Sequence, residues 1–296
     1  EMPPENCTAL TEFVLLGFSN RLEVEIPLFG LFLLVYATTL VGNIGLVVLV
    51  QLNACLHTPM YYFFSNLSFL DLSCSSAIAP KMLVNLIGCA TQRFLFPAFA
   101  DAECFLLAAM AYDCYVAVCH PLLYTMAMSR RVCTSMVAGA YLSVLLTSLV
   151  HTSFTFTLPF CGSDVINHFF CDIPLLLELS CSETHVSEVL LFTLCGFTQT
   201  STFLAIAVSY TCILSTVLRI RGAERRHKAF YTRTAVGLFC GSLLFTYSRP
   251  SSSHSLGTDK VISAFYTVLF PMLNPRIYSL RNKEVQDALR RTLERR

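Results

Sequence analysis

The sequence predicts an all-α membrane protein, a bundle of seven transmembrane helices followed by a short amphipathic helix at the C-terminus. Hydrophobic residues make up 55% of the 296 residues and charged residues 13%, whereas soluble domains carry about 25% charged residues. A membrane-spanning helix takes about 20 mainly apolar residues. The runs that meet this length are residues 26–50, 59–80, 94–118, 135–158, 189–217, 229–248 and 261–278.

The distribution of Lys and Arg predicts how these spans are oriented, because both residues are retained on the cytoplasmic side of a membrane. Fifteen of the twenty lie on one predicted side, mainly within residues 219–233 and 276–296. We therefore expect the N-terminus outside the cell and the C-terminus inside. The predicted organisation is an extracellular tail at 1–25, a seven-helix domain at 26–280 and a cytoplasmic amphipathic tail at 281–296. In the outer tail, Asn6-Cys7-Thr8 fits the N-glycosylation pattern at Asn6.

Composition and motifs argue against several other functions. The formal net charge of +1 indicates neither a nucleic-acid partner nor an acidic substrate. The sequence contains neither a His-Glu-x-x-His motif nor a Gly-x-Ser-x-Gly elbow, so we predict no enzyme, no catalytic residue and no metal-ligating site of that kind. A transporter is the alternative membrane class, but transporters more often carry internal repeats and broken helices, and the sequence contains no repeat.

The stretch MAYDCYVAVCHPLLY, residues 110–124, resembles the signature of odorant receptors, which are rhodopsin-like G-protein-coupled receptors. The family usually reads Met-Ala-Tyr-Asp-Arg-Tyr-Val-Ala-Ile-Cys. The other segments that resemble the family are TEFVLLGFS at 11–19, GN at 42–43, LHTPMYYFFSNLSFLDL at 56–72, SY at 209–210, KAF at 228–230 and PMLNPRIYSLRNKEV at 271–285. The resemblance implies a plasma-membrane receptor that binds a small volatile odorant and raises cAMP through an olfactory-type stimulatory G protein.

Three polar residues inside the spans, Asp71, Glu103 and Asn274, resemble the internal polar cluster of the family. Ionisable groups in a membrane are costly and mark functional sites. Two interpretations remain open, a sodium ion held by the carboxylates and a hydrogen-bonded network without an ion. No other cofactor is predicted.

Four cysteines lie at the outer end of the predicted third span and in the long second outer loop, where an oxidising compartment allows disulfides. The resemblance implies the pairs Cys89–Cys171 and Cys161–Cys181, which would tie the second outer loop to the third span and fold the loop on itself. A metal site that uses His168 and Cys171 is the alternative.

The ligand pocket is expected between the outer halves of the third, fifth, sixth and seventh spans. Phe96, Ala100 and Cys104 repeat every four residues and so share one face of a helix. Such stripes also arise from plain helix packing. The resemblance favours a pocket for a mostly apolar molecule with one polar anchor, Tyr247. The full set of predicted ligand-binding residues is Phe96, Ala100, Asp101, Cys104, Cys195, Thr198, Leu243, Tyr247 and Thr267.

The resemblance also implies a cytoplasmic switch for G-protein coupling, in which this chain departs from the family. Cys114 stands where the family has arginine. The segment KAFYTRTAVGLF at 228–239 is shorter than the family pattern by about four residues, or about 6 Å of helix. Arg276 replaces an apolar residue. We therefore expect weak signalling or a non-signalling, pseudogene-like receptor, unless Arg233 or Arg276 pairs with Asp113. The predicted switch residues are Asp113, Cys114, Tyr115, Tyr210, Asn274, Pro275 and Tyr278.

Overall fold

The computed structural model describes residues 14–15, 22–84, 89–156, 165–166, 185–219, 271–274 and 283–294. Nearly every described residue is helical, which confirms the predicted helical class. The main helices are α1 (Leu22–Leu52), α2 (Pro59–Val84), α3 (Cys89–Cys119), α4 (Arg130–Phe156), α5 (His185–Arg219) and α6 (Lys283–Glu294). The first five predicted spans coincide with α1–α5, with ends that differ by a few residues. The sixth predicted span, and the seventh except for the helical residues 271–274, lie outside the described residues.

Three of the described helices are long and apolar enough to cross a membrane, over Phe29–Leu52, Pro97–Cys119 and Arg130–Phe154. In hydrocarbon every backbone polar group needs a partner within the protein, and an α-helix supplies one. Some hydroxyl side chains in these helices bond to the backbone of their own helix. In α1 the Thr38 and Thr39 hydroxyls donate to the carbonyls of Leu34 and Val35, one turn earlier. These contacts let hydroxyl groups lie within an apolar span at little cost.

Helix α3 lies at the centre of the described part and packs against α2, α4 and α5. Its buried side chains include Leu106, Leu107 and Met110, which belong to one hydrophobic core with Phe63 and Leu67 of α2. Many apolar side chains on α1 and α4 are exposed instead, as a lipid-facing surface requires. The predicted ligand-binding residues of the third span and the predicted switch residues Asp113–Tyr115 both lie on this central helix.

The helix α6 packs against the inner end of α1 and the short 3-10 turn Ala54–Leu56. Val285 and Ala288 are buried in this contact, and the Asn53 Nδ2 atom donates to Thr292 Oγ1 at 3.3 Å. The apolar positions recur with helical spacing, and the charged positions Asp287, Arg290 and Arg291 are exposed. The predicted amphipathic helix at the C-terminus is therefore present.

One element was not predicted. Val14–Leu15 and Val165–Ile166 form a two-residue parallel strand pair, with Val14 opposite Val165 and Leu15 opposite Ile166. The pair brings the N-terminal segment against the segment that joins α4 to α5. Two residues are too few to display the alternation by which a strand is recognised in a sequence.

Candidate functional site

Helices α2 and α3 and residues 271–274 bring together a buried polar cluster. Asn274 Nδ2 lies 3.1 Å from Asp71 Oδ1 and 3.2 Å from Asp71 Oδ2. The Glu103 carboxyl group of α3 is also buried and lies close enough to Asp71 for the two acidic groups to interact. The three predicted members of the cluster are therefore close together. Two neighbouring ionised carboxylates repel each other, so a proton or a cation between them would stabilise the pair.

Two further oxygens near this cluster lack a partner among the described residues, Asn43 Oδ1 and Ser75 Oγ, and both are buried. Asn43 Nδ2 donates to the carbonyls of Thr39 and Pro271, at 3.0 Å each, and so joins α1 to residues 271–274. Ser75 lies one helical turn after Asp71 on α2. Hard cations prefer carboxylate, carbonyl and other oxygen ligands. These oxygens are of that type, but the described residues contain no group of three His, Cys, Asp or Glu side chains that could hold a metal ion.

A second buried polar contact joins α3 to α5. Gln199 Nε2 donates to Asp101 Oδ1 at 3.2 Å, and the Cys104 thiol donates to Gln199 Oε1 at 3.4 Å. Asp101, Cys104 and Gln199 are all buried. Asp101 and Cys104 were predicted as ligand-binding residues, but Gln199 was not. Its amide within the apolar run of the fifth span was the available signal, since a polar residue inside a span marks a functional position.

The other predicted pocket residues divide into two groups. Ala100 is buried on α3, and Thr198 is half-buried on α5 next to Gln199. Phe96 and Cys195 lie within α3 and α5. Leu243, Tyr247 and Thr267 lie outside the described residues. The predicted helical spacing of Phe96, Ala100 and Cys104 is thus present, while their role in ligand binding stays a prediction.

Near the C-terminal end of α3, the Tyr124 hydroxyl donates to Asp113 Oδ1 at 3.0 Å. Tyr124 begins the helical turn Tyr124–Ala127 that follows α3, and Asp113 is only 3% exposed. Partial burial, together with the nearby Asp113 carboxylate, raises the pKa of Tyr124 above its usual range, so the hydroxyl keeps its proton. The alternative partners proposed for Asp113, Arg233 and Arg276, lie outside the described residues. Tyr124 was quoted within the motif but was not predicted as a partner.

The residues that follow Asp113 form a second set of contacts. Cys114 is a half-buried free thiol. The hydroxyl of Tyr115 lies 3.0 Å from His120 Nε2, and the two rings meet edge to face with centroids 5.4 Å apart. Cys119 Sγ lies 3.3 Å from Thr216 Oγ1 of α5. Tyr210 is half-buried on α5 and packs against the core. The C-terminal ends of α3 and α5 are therefore in direct contact.

Several predicted sites have no structural description. Cys89 is the first residue of α3, but its predicted partner Cys171 lies outside the described residues, as do Cys161 and Cys181. The glycosylation site Asn6 and the switch residues Pro275 and Tyr278 also lie outside them. Both disulfides and the glycan stay predictions.

The family model and the relatives found by comparison with known proteins point to the same family. The family model described as olfactory receptor matches residues 32–296. Human olfactory receptor 5G3 is 52% identical over 307 residues, covering 99% of this chain and 98% of the relative. Human olfactory receptor 5AR1 is 50% identical over 305 residues, with 99% and 98% coverage. The olfactory receptor-like protein OLF1 of Canis lupus familiaris is 52% identical over 301 residues, with 97% coverage of each chain.

Proposed function

This chain belongs to the olfactory receptor family, whose members are multi-pass membrane proteins that sense odorants through G proteins and are not enzymes, and we propose how this copy does so. Its complete bundle has seven spans at 26–280, an extracellular tail at 1–25 and a cytoplasmic tail at 281–296 in the plasma membrane. It binds small, mostly apolar volatile ligands. It signals through an olfactory-type stimulatory G protein that raises cAMP, with weakened coupling.

The observation that carries this proposal is the continuity of α3. One uninterrupted helix bears Ala100, Asp101 and Cys104 in its middle and Asp113 at its inner end. Asp101 and Asp113 are twelve residues apart in the sequence, which corresponds to about 18 Å along a helix. Helix α5 contacts both parts of α3, because Gln199 bonds to Asp101 and Thr216 contacts Cys119. A ligand that changes the packing of α3 against α5 therefore has a direct route to the cytoplasmic surface.

The ligand site, in this proposal, lies where α3 meets α5 and includes the predicted residues Phe96, Cys195, Thr198, Leu243, Tyr247 and Thr267. Apolar neighbours and a few polar groups suit a small ligand with one polar function. Binding favours the bundle state that accepts the G protein, because a ligand shifts an equilibrium by its differential affinity for two states. Agonist-dependent cAMP accumulation in cells, absent from cells without the receptor, tests this assignment.

The buried pair Asp71 and Glu103 is proposed to hold a sodium ion, with Asn274 and Ser75 beside it. Two facts support this, the close approach of two buried carboxyl groups and the unpartnered buried Ser75 Oγ. A sodium ion would replace the shared proton and give the Ser75 oxygen a ligand role. The competing proposal, a protonated network without an ion, predicts no effect of sodium on stability.

The outer surface is proposed to carry the glycan at Asn6 and the disulfides Cys89–Cys171 and Cys161–Cys181. The strand pair between Val14–Leu15 and Val165–Ile166 supports an association of the N-terminal segment with the segment before α5. Peptide mapping under non-reducing conditions tests the pairing. Recovery of Cys89 and Cys171 as free thiols from folded receptor would exclude the first bond.

We propose weakened coupling to the G protein because this chain departs from the family pattern in the predicted cytoplasmic half. Cys114 supplies a half-buried thiol in place of a cation with five donors. The alignments with both human relatives are longer than the 296 residues of this chain, so they contain positions at which this chain has no residue. The predicted shortening near 228–239 would account for some of these positions.

A matched pair of receptors tests the weakened coupling. One is the native sequence, and the other carries Cys114→Arg, Arg276→Leu and four residues restored after Phe230. At equal surface density we expect a larger agonist-driven cAMP response from the restored receptor. Equal responses would refute the proposal. The comparisons lend no support to the transporter alternative.

A further inference from the structure

The N-terminal part of α3 contains a proline, Pro97, inside the helix Cys89–Cys119. A proline has no backbone N–H, so the carbonyl of Arg93, one turn earlier, loses its usual donor within the helix. The proline ring also crowds that carbonyl, and a helix that continues through a proline bends there. Within a membrane such a bend is tolerated where Ser or Thr side chains and neighbouring helices supply hydrogen bonds to the backbone. The segment of α3 before Pro97 therefore benefits from a donor outside the helix.

Helix α4 supplies a donor at this bend. The Ser148 hydroxyl of α4 donates to the backbone carbonyl of Phe94, which lies three residues before Pro97. Ser148 is only 2% exposed, so the bond lies inside the interface between the two helices. The backbone of α3 is thereby tied to α4 at the turn where the proline weakens the bonding of α3 to itself.

Two other hydroxyl groups of α4 bond in a different way. Ser143 donates to the carbonyl of Ala140, and Thr147 donates to the carbonyl of Ser143, both within α4 itself. Bonds of this kind to the preceding turn are common for Ser and Thr inside a helix. Ser148 instead reaches the backbone of another helix. The adjacent Thr147 is thus a matched comparison, a hydroxyl on the same helix that does not contact the bend.

The bend separates two groups of predicted ligand-binding residues on α3. Phe96 precedes Pro97, whereas Ala100 and Cys104 follow it. A change in the bend therefore moves the backbone of Phe96 relative to that of Ala100 and Cys104. It also moves the N-terminal end of α3 relative to its neighbours, and so alters the room for a ligand beside this end of the helix.

We infer that Ser148 is a positioning residue for odorant selectivity, because its bond to the Phe94 carbonyl holds the bend at Pro97 and so sets where the N-terminal end of α3 lies. The inference rests on the proposed ligand site between α3 and α5. Ser148 lies on α4 and acts on that site through the backbone of α3. The bond influences which chain lengths fit the site more than how a shared polar group is held.

A double-mutant cycle on full-length receptor in lipid nanodiscs tests the link between the bond and the bend. Ser148→Ala removes the hydroxyl, and Pro97→Ala restores an N–H at position 97. We expect Ser148→Ala to lower the unfolding midpoint, and to lower it less in the Pro97→Ala background, because a straighter α3 needs no outside donor. Thr147→Ala should have the same effect in both backgrounds. Equal effects of Ser148→Ala in the two backgrounds would overturn the inference.

Selectivity is measured with butanol, hexanol, octanol and decanol, which share one hydroxyl and differ in chain length. The readout is the concentration of each alcohol that gives half of its maximal increase in the unfolding midpoint. We expect Ser148→Ala to change the ratio of the apparent affinities for octanol and butanol by about threefold to tenfold, the factor that one hydrogen bond is worth. Ser148→Thr keeps a hydroxyl and should retain the native ratio, as should Thr147→Ala.

The outcomes separate a failure of this inference from a failure of the proposed function. If Ser148→Ala binds the alcohols with the native ratio, or loses affinity for all of them equally, Ser148 has a structural role alone and the inference is wrong, while the proposed ligand class stands. If no alcohol stabilises the native receptor, the proposed ligand class is wrong and the claim about selectivity falls with it. The double-mutant cycle needs no ligand and decides in either case whether Ser148 holds the bend.

Discussion

The hydroxyl of Tyr124, in the helical turn that follows α3, donates to Asp113 Oδ1 at 3.0 Å. The contact supplies Asp113 with a partner in a chain whose position 114 is cysteine. A hydroxyl differs from the guanidinium it stands in for, because it offers one donor and no charge. The hydroxyl thus orients the carboxylate but does not neutralise it, as a cation at position 114 would.

Replacement of Tyr124 by Phe should destabilise the receptor. The change leaves the buried Asp113 carboxylate without its donor, and a buried polar group left unsatisfied costs about 1–3 kcal/mol. Thermal unfolding of purified receptor in nanodiscs measures the effect. Tyr112→Phe is the matched control, because Tyr112 is exposed and lies next to Asp113 on α3. Equal midpoints for the two variants would mean that the hydrogen bond contributes nothing to stability.

The packing of α6 against α1 predicts that a larger side chain at position 288, in place of Ala288, destabilises the receptor. Ala288 is 1% exposed, and added methylenes in a filled contact cost about 1–3 kcal/mol. Ala288→Leu should therefore lower the unfolding midpoint. Asp287→Leu introduces the same side chain at the neighbouring exposed position and should have little effect. The assignment of this helix face would be wrong if Asp287→Leu were the more damaging change.

The helical class and the positions of α1–α5 could be predicted because each span is a long apolar run, and length alone identifies such segments. The contact between Asp71 and Asn274 could also be anticipated, since buried polar groups must find one another. The role of Gln199 could not be assigned, because a bridge between α3 and α5 depends on how the two helices rotate against each other. Tyr124 was missed for a related reason. Its contact with Asp113 depends on a turn that reverses the chain over residues 120–124, and no periodic pattern encodes that turn.

The proposed sodium site predicts a specific salt effect on stability. Native receptor should unfold at a higher temperature in sodium chloride than in choline chloride of equal ionic strength, because a bound ion stabilises the folded state. Asp71→Asn should abolish the difference, and Ser75→Ala should reduce it. Ser73→Ala is the control, because the Ser73 hydroxyl is exposed and donates to the carbonyl of Phe69 within α2. Identical midpoints of the native receptor in the two salts would favour the proton-sharing network over the ion.

Position 114 gives the most direct test of coupling. In Cys114→Arg a guanidinium lies next to Asp113, where it can pair with the carboxylate in the resting state and offer its donors to the G protein in the active one. We expect a higher maximal cAMP response to agonist than in the native receptor at equal surface density. Cys114→Ser removes the thiol without adding a cation, so it should respond like the native chain. A gain in both variants would assign the defect to the thiol itself. A gain in neither would place the limiting change in the shortened segment at 228–239 or at Arg276, because those departures remain in both variants.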